Sequence, residues 1–270
     1  MPLLPPLNPP ISHWTGRRIW LVGASSGIGA AVARELAARG AHLALSARRE
    51  AALVALREAL PAAAREHCRI VPCDITDLQD VTAAAHTLLS DGGGLDLVFM
   101  AAGVYDALSP REFDLLSWPV ARQALDTNLT GAYHLLAAVL PALRRQGHGG
   151  LAFVSSVAGL NGLPRALAYA PGKAALNNLC EGLYLELRPL GLSVYRICPG
   201  FVATPMTAGV AFPMPALLSA EAAAGRIVRG LERGDFDIHF PKRFTLLLHV
   251  LRCLPRRFYF RIMQSVLQRL

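Results

Sequence analysis

Cysteine is scarce in this chain of 270 residues. Cys68, Cys73, Cys180, Cys198 and Cys253 are odd in number, and none forms a close metal-type pair with nearby histidines. A disulfide framework and a structural zinc site drop out, no metal is expected, and a reducing compartment, the cytoplasm, is the simplest home. The first ten residues hold five prolines but neither a basic segment nor a long apolar run. No targeting segment is expected there, and residues 1–16 read as a mostly irregular arm. Near the other end, no uncharged apolar run approaches the roughly 20 residues that span a bilayer.

Acidic residues are missing from 241–270, which hold Lys242, Arg243, Arg252, Arg256, Arg257, Arg261 and Arg269. Those seven cations account for nearly all of the net charge of +8 and leave 20 basic against 19 acidic residues in 1–240. A nucleic-acid binder would carry its basic face on the fold itself, so that class is excluded. Lysine is nearly absent: Lys173 and Lys242 stand against 25 arginines. A casual surface cation in this chain is therefore an arginine, which makes Lys173 conspicuous.

What is present is a globular composition, 53% hydrophobic and 17% charged, which excludes disorder as the main state. Short apolar runs alternate with longer helix-like stretches, the pattern of a parallel sheet covered on both faces. Strands are expected at 18–22, 42–46, 69–71, 95–100, 151–155, 192–197 and, at the edge, 235–240. Helices are expected at 27–39, 50–60, 77–89, 120–143, 168–187 and 220–233. Gly40 and Pro61 act as stops, and Asp77 as a cap. The fold class is α/β: one Rossmann-like, doubly wound domain of about seven strands over 17–240, with 241–270 as a basic amphipathic helical extension.

The first strand runs into Gly23-Ala24-Ser25-Ser26-Gly27-Ile28-Gly29. Gly23 permits the tight turn, Gly27 a close approach to a diphosphate, and Gly29 packing of the helix on the sheet, while the helix N-terminus faces the anion. A plain strand-to-helix turn reads similarly, but the strand before and the helix after supply the expected context. At the end of the second strand, an acid that would grip a ribose diol is replaced by Arg48 and Arg49. A guanidinium holds a phosphate in a fork that an acid would repel, so NADP(H) is favoured over NAD(H), with Arg48 as ligand and Arg49 at the rim. The alternative is two solvated first-turn arginines.

The segments Asp74-Ile75, Asn128, Ser155-Ser156-Val157-Ala158-Gly159, Tyr169-Ala170-Pro171-Gly172-Lys173 and Pro199-Gly200-Phe201-Val202-Ala203-Thr204 follow that turn in order. With Tyr169 standing 13 positions after Ser156 and 41 after Asn128, the chain resembles the short-chain dehydrogenases/reductases from about Arg17 to Phe240. The resemblance implies that Lys173 also contacts the nicotinamide ribose and that Asn128 supports a water-linked proton relay. It further implies that Asp74 lies near adenine with Ile75 and that Thr204 steadies the carboxamide. Ala102, Gly103, Pro199, Gly200 and Val202 complete the cofactor contacts with Ser25, Ser26 and Ile28. Asp74 as a turn acid and Thr204 as a cap remain alternatives. Departures from the family's common form are Val22 for threonine, Met100-Ala101 for Asn-Asn, Pro171-Gly172 for Ala-Ser, and Ser26 for a basic residue.

A carbonyl receiving hydride needs its oxygen stabilised or protonated. Tyr169 supplies the proton, and Ser156 holds the oxygen. Lys173, one helical turn on, is expected to lower the phenol pKa from near 10. The residues from Met206 to Leu218, including Val210, Phe212, Met214 and Leu217, carry no charge and suit an apolar ketone, aldehyde or alcohol. Phe244, Leu247, Leu248, Leu251 and Leu254, then Phe258, Ile262, Val266 and Leu270 after Pro255, form two helical stripes flanked by arginines. They fit an anionic membrane surface, with peripheral attachment at its inner face, or packing on the body or a dimer contact. A homodimer or homotetramer is expected. A catalytically weak dinucleotide-binding scaffold that recruits a partner through the tail is the competing reading.

Overall fold

The computed structural model describes residues 5–111, 113–210 and 213–267. Phe212, Arg269, Leu270 and the first four residues of the arm, all invoked above, lie outside the described residues, as does the side chain of Val266. Strands β1 (Arg18–Val22), β2 (His42–Ser46), β3 (Cys68–Ile70), β4 (Leu97–Met100), β5 (Gly150–Val154), β6 (Ser193–Pro199) and β9 (Asp237–Phe240) form one sheet, every neighbouring pair parallel. Its order is β3-β2-β1-β4-β5-β6-β9, so chain direction across the sheet reverses between β1 and β4. Such a reversal opens a crevice at the carboxyl ends of those strands. Two short strands, β7 (Val202–Ala203) and β8 (Leu218–Ser219), pair separately beside it.

Strand alternation builds two cores from one sheet. Ile19, Leu21, Leu97, Phe99, Ala152, Val154, Tyr195 and Ile197 face one layer, with α1 (Gly27–Ala37) and α8 (Ala220–Arg233). Trp20, Val22, Val98, Met100, Leu151, Phe153 and Val194 face the other, with α4 (Leu78–Leu89), α6 (Gly131–Gln146) and α7 (Tyr169–Leu187). Burial on both faces explains why the central strands read as unbroken apolar runs. Asp77 caps α4 as expected, accepting from the Gln79 and Asp80 amides at 2.8 and 3.2 Å.

The structure departs from the sequence reading in three places. Pro61 ends α2 (Glu50–Glu58) but also opens a short helix α3 (Ala62–Glu66), because its fixed φ suits a helix start. The single helix expected at 120–143 is divided into α5 (Trp118–Leu125), a π-helical turn over Asp126–Thr130, and α6. The arm is irregular but anchored: the Asn8 side chain donates to the Val194 carbonyl at 2.9 Å and accepts from its amide at 3.2 Å. Asn8 thereby continues the β6 ladder just where β9, whose pairing starts at Arg196, is too short to do so.

The extension forms α9 (Lys242–Cys253) and α10 (Arg256–Leu267), parted at Pro255. Phe244 and Leu248 pack on Val157, Leu160 and Cys198, and the buried Tyr259 donates its hydroxyl to the Gly162 carbonyl at 2.6 Å. The opposite side leaves Leu246, Leu247, Val250, Phe258, Phe260 and Ile262 exposed. One face is packed on the body and the other carries solvent-facing apolar side chains.

Candidate active site

The crevice at the β1/β4 reversal is a cleft of about 350 Å³. Gly23, Ser25, Ser26, Gly27, Ile28, Gly29, Arg48, Arg49, Asp74, Ile75, Ala102, Gly103, Ser156, Tyr169, Lys173, Pro199, Gly200, Val202 and Thr204 all line it. Of the catalytic and cofactor-binding residues singled out from sequence, Asn128 alone is not among them.

At the glycine turn, Gly23 sits at φ +90°, and a Cβ there would stand 2.3 Å from the Ala102 amide nitrogen. The turn therefore packs directly on the end of β4, where Ala101 and Ala102 both donate to the Val22 carbonyl. A Cβ on Gly29 would stand 2.2 Å from the Gly23 carbonyl and 3.2 Å from the Ala101 side chain, so this position closes the turn on itself and against the end of β4. The α1 N-terminus has an extended Ser26 with no side-chain cap, leaving its first amides to face the cleft. A bare-amide rim beside two arginines fits the diphosphate of a dinucleotide.

Arg48 and Arg49 are exposed at the far end of the cleft, and Arg49 reaches the Ser25 hydroxyl at 3.5 Å. Asp74 lines the cleft while one of its oxygens accepts from the Thr76 amide and hydroxyl at 2.9 and 2.8 Å. It is a turn acid and a wall residue at once.

The opposite end is buried. Lys173 is 3% exposed, and its ammonium donates to the Val154 carbonyl at 2.8 Å. Ser155 pins the same helix turn to β5, donating to the Lys173 carbonyl at 3.1 Å. Ser156 is extended at the strand end, its hydroxyl accepting from the Ala158 amide at 3.1 Å. Tyr169 opens α7, half-buried, with the Lys173 nitrogen 5.7 Å from its ring centre and Tyr105 edge-on at 5.1 Å.

Electrostatically, burial pushes the Tyr169 phenol up to about 12, against a hydrogen bond with Ser156 that lowers it. Burial also lowers Lys173 to about 8. The expectation that Lys173 would bring the phenol below its ordinary value is thus reversed. Desolvation disfavours both phenolate and ammonium and is the leading cause at each.

Asn128 sits in the π-helical turn, fully buried. Its amide donates to the Val104 carbonyl at 2.8 Å and its oxygen accepts from the Val104 amide at 3.0 Å. Both polar ends are spent on holding the loop after β4, whose Val104 does line the cleft. Sequence reasoning missed Thr127 and Thr207 as lining residues. Thr207 accepts from the Thr204 amide and donates to the Val202 carbonyl, at 3.0 and 2.7 Å, which closes the turn that carries Thr204. A hydroxyl three residues after Thr204 was the available signal. Of the uncharged loop expected over the substrate, Met206 reaches the cleft, whereas Leu217 is exposed. The extension approaches too: a Cβ on Gly200 would lie 3.0 Å from the Phe244 ring. A second cavity, about 920 Å³, lies between α10 and the segments 107–111 and 162–165.

The model of the short chain dehydrogenase family matches residues 17–212. The chain belongs to that family. An uncharacterized oxidoreductase of Myxococcus xanthus is 37% identical over 88% of this chain and 93% of its own length. A trans-4-hydroxycyclohexanecarboxylate dehydrogenase of Sinomonas cyclohexanicum is 33% identical over 74% of this chain and 78% of its own. A short chain dehydrogenase of Burkholderia cenocepacia, solved in complex with NADP, shares the fold at a TM-score of 0.78 and 23% identity, covering 93% of this chain and 99% of that one. Family, dinucleotide cleft and convergent Ser, Tyr and Lys side chains together make this an oxidoreductase that interconverts a carbonyl and its alcohol. Among the described residues, no helix is long and apolar enough to cross a membrane.

Proposed function

We propose that the protein reduces an apolar ketone or aldehyde with NADPH, or runs the reverse oxidation, within a domain spanning 17–240. The observation that carries this reading is the division of one cleft into a buried end holding Ser156, Tyr169 and Lys173 and an exposed end holding Arg48 and Arg49, with no acid at the end of β2. The dinucleotide supplies hydride when bound. Tyr169, a neutral phenol at physiological pH, gives its proton to the carbonyl oxygen as charge develops there, and Ser156 positions that oxygen. Lys173 offsets the phenolate that this leaves. Asn128 acts by holding Val104 against the cleft. Met206, Tyr105 and the cavity under α10 suit an apolar substrate body, and the Sinomonas relative is named for an alcohol on a cyclohexane ring that also bears a carboxylate. A panel of hydrophobic carbonyls, assayed with NADPH and NADH, tests the reading. Turnover preferring NADPH supports it. Tight nucleotide binding without turnover of any carbonyl overturns it and leaves the scaffold.

We further propose that the extension seats the enzyme on an anionic membrane surface. Arg243, Arg252, Arg257 and Arg261 stand exposed beside Leu246, Leu247, Val250, Phe258 and Ile262. Each near-surface cation adds about 1 kcal/mol of attraction to an anionic leaflet, and the apolar side chains add a part that salt does not screen. The intact chain should sediment with anionic vesicles and far less with neutral ones. Equal indifference to both refutes the membrane seat.

A further inference from the structure

β9 and α9 bring together three side chains that the redox chemistry does not use. Alternation along β9 puts Asp237 and His239 on the same face, and α9 delivers His249 to it. One carboxylate oxygen and one nitrogen from each imidazole lie within 4.8 Å of one another, with the two rings edge-to-face at 5.0 Å between centres.

The surroundings of the histidines are those of ligands. His239 Nδ1 is 2.6 Å from the hydroxyl of the fully buried Thr245, which itself donates to the Pro241 carbonyl at 3.2 Å. When the hydroxyl proton goes to the Pro241 or Lys242 carbonyl, the Thr245 oxygen accepts from Nδ1–H, and in that tautomer Nε2 keeps its lone pair. A hydrogen bond on the remote nitrogen is how ligating histidines are oriented. His249 Nε2 is buried and has no hydrogen-bond partner among the described residues. An orphaned imidazole nitrogen in that position needs an occupant. Arg196 also donates to both oxygens of Asp237, at 3.3 and 3.0 Å, so a metal would share that carboxylate with the guanidinium, and Lys242 lies close enough to act on His239. Those cations weigh against Mg²⁺ or Ca²⁺, which are held by oxygen and charge, and leave a metal that seeks imidazole nitrogen.

We propose that Asp237, His239 and His249 bind a zinc-type divalent cation that clips the C-terminal extension to the last strand of the sheet. Ligand atoms about 2 Å from zinc stand roughly 3.3 Å apart in a tetrahedron, so rotation of the two rings closes the site, and water takes the fourth position. The clip holds the start of α9, and with it Phe244, against Gly200 of the dinucleotide cleft. The proposal is independent of the substrate and cofactor reading.

The test uses the full-length protein stripped of metal by a chelator. Calorimetric titration with Zn²⁺ should give one site per chain, and Co²⁺ should give the strong visible bands of a four- or five-coordinate nitrogen site. Zn²⁺ should also raise the melting temperature. His239→Ala and His249→Ala should each lose the stoichiometric site and the thermal shift. The control pair His42→Ala and His67→Ala, which removes a stacked imidazole pair elsewhere on the sheet, should keep both. Because an alanine could loosen α9, His249→Gln, close to histidine in volume, provides a second variant whose metal-free melting curve should match the parent. Absence of a stoichiometric site, weak octahedral Co²⁺ bands, or binding that survives the combined His239→Ala and His249→Ala change overturns the proposal.

Discussion

The two ends of the cleft solve opposite physical problems. At one end Lys173, Ser156 and the nearby Asn128 are buried and tied to backbone at Val154, Ala158 and Val104. At the other, Arg48 and Arg49 stand in solvent. A proton that must move at a defined moment needs a dry, fixed site where small charges act strongly. A phosphate that must be captured and released needs mobile charge that water can replace. The cleft therefore joins rigid chemistry to adaptable recognition, and each half predicts its own kind of failure.

The sharpest break is Tyr169→Phe. Only a hydroxyl is lost, and its worth lies in the transition state, so hydride transfer should fall by about 10²–10⁴ while nucleotide affinity stays close to the parent value. Rates at saturating NADPH, with dissociation constants from fluorescence, separate the two. Retention of most of the turnover would remove Tyr169 as the acid. Arg48→Ala should break the other half. Loss of a charge-assisted contact costs about 1.5–3 kcal/mol, which weakens NADPH by roughly 10- to 150-fold and leaves NADH little changed. Equal weakening of both nucleotides would mean that Arg48 does not read the phosphate.

How much of this was legible in the sequence differs along the same axis. The glycine turn, the seven strands and the order Ser156, Tyr169, Lys173 could be read because each rests on local signals: a turn residue, an apolar run, a one-turn spacing. The π-helical turn at Asn128 could not, since one extra residue in a turn leaves the apolar periodicity of α5 and α6 nearly continuous. Nor could the sign of the Tyr169 shift, which depends on how completely the folded chain removes water. The extension shows the limit most plainly. Its stripes were visible, but a stripe does not say which side is covered. Phe244, Leu248 and Tyr259 turn to the body, while Leu247 and Phe258 face solvent.

Proton accounting sharpens the buried end. Reduction needs Tyr169 protonated, which its pKa of about 12 guarantees across the accessible range, and Lys173 charged to offset the phenolate. With Lys173 lowered to about 8, carbonyl reduction should be level below that pH and fall above it, by up to about tenfold per unit. Lys173→Arg keeps a charge that does not titrate there and should move the fall to higher pH, at a lower absolute rate. Single-turnover rates across the range, in both proteins, check this. A parent profile that stays level well past pH 8 would show that the charge on Lys173 is not what limits reduction.

The smallest effect expected is also the one that compares the two ends within a single experiment. Exposed charges are screened by salt, and the Debye length shrinks from about 30 Å at 0.01 M to about 8 Å at 0.15 M. As the proposed phosphate ligands, Arg48 and Arg49 act in that regime, so NADPH affinity should weaken several-fold over that range. The Lys173 ammonium, 3% exposed and bonded to the Val154 carbonyl, is shielded by protein rather than by ions. Turnover at saturating NADPH should therefore hold steady while the dissociation constant drifts. Arg48→Ala should flatten the salt dependence of NADPH binding, since one of the screened charges is gone. Turnover falling in parallel with affinity would show that the buried end senses solvent ions after all, and the division of the cleft into a dry half and a wet half would not stand.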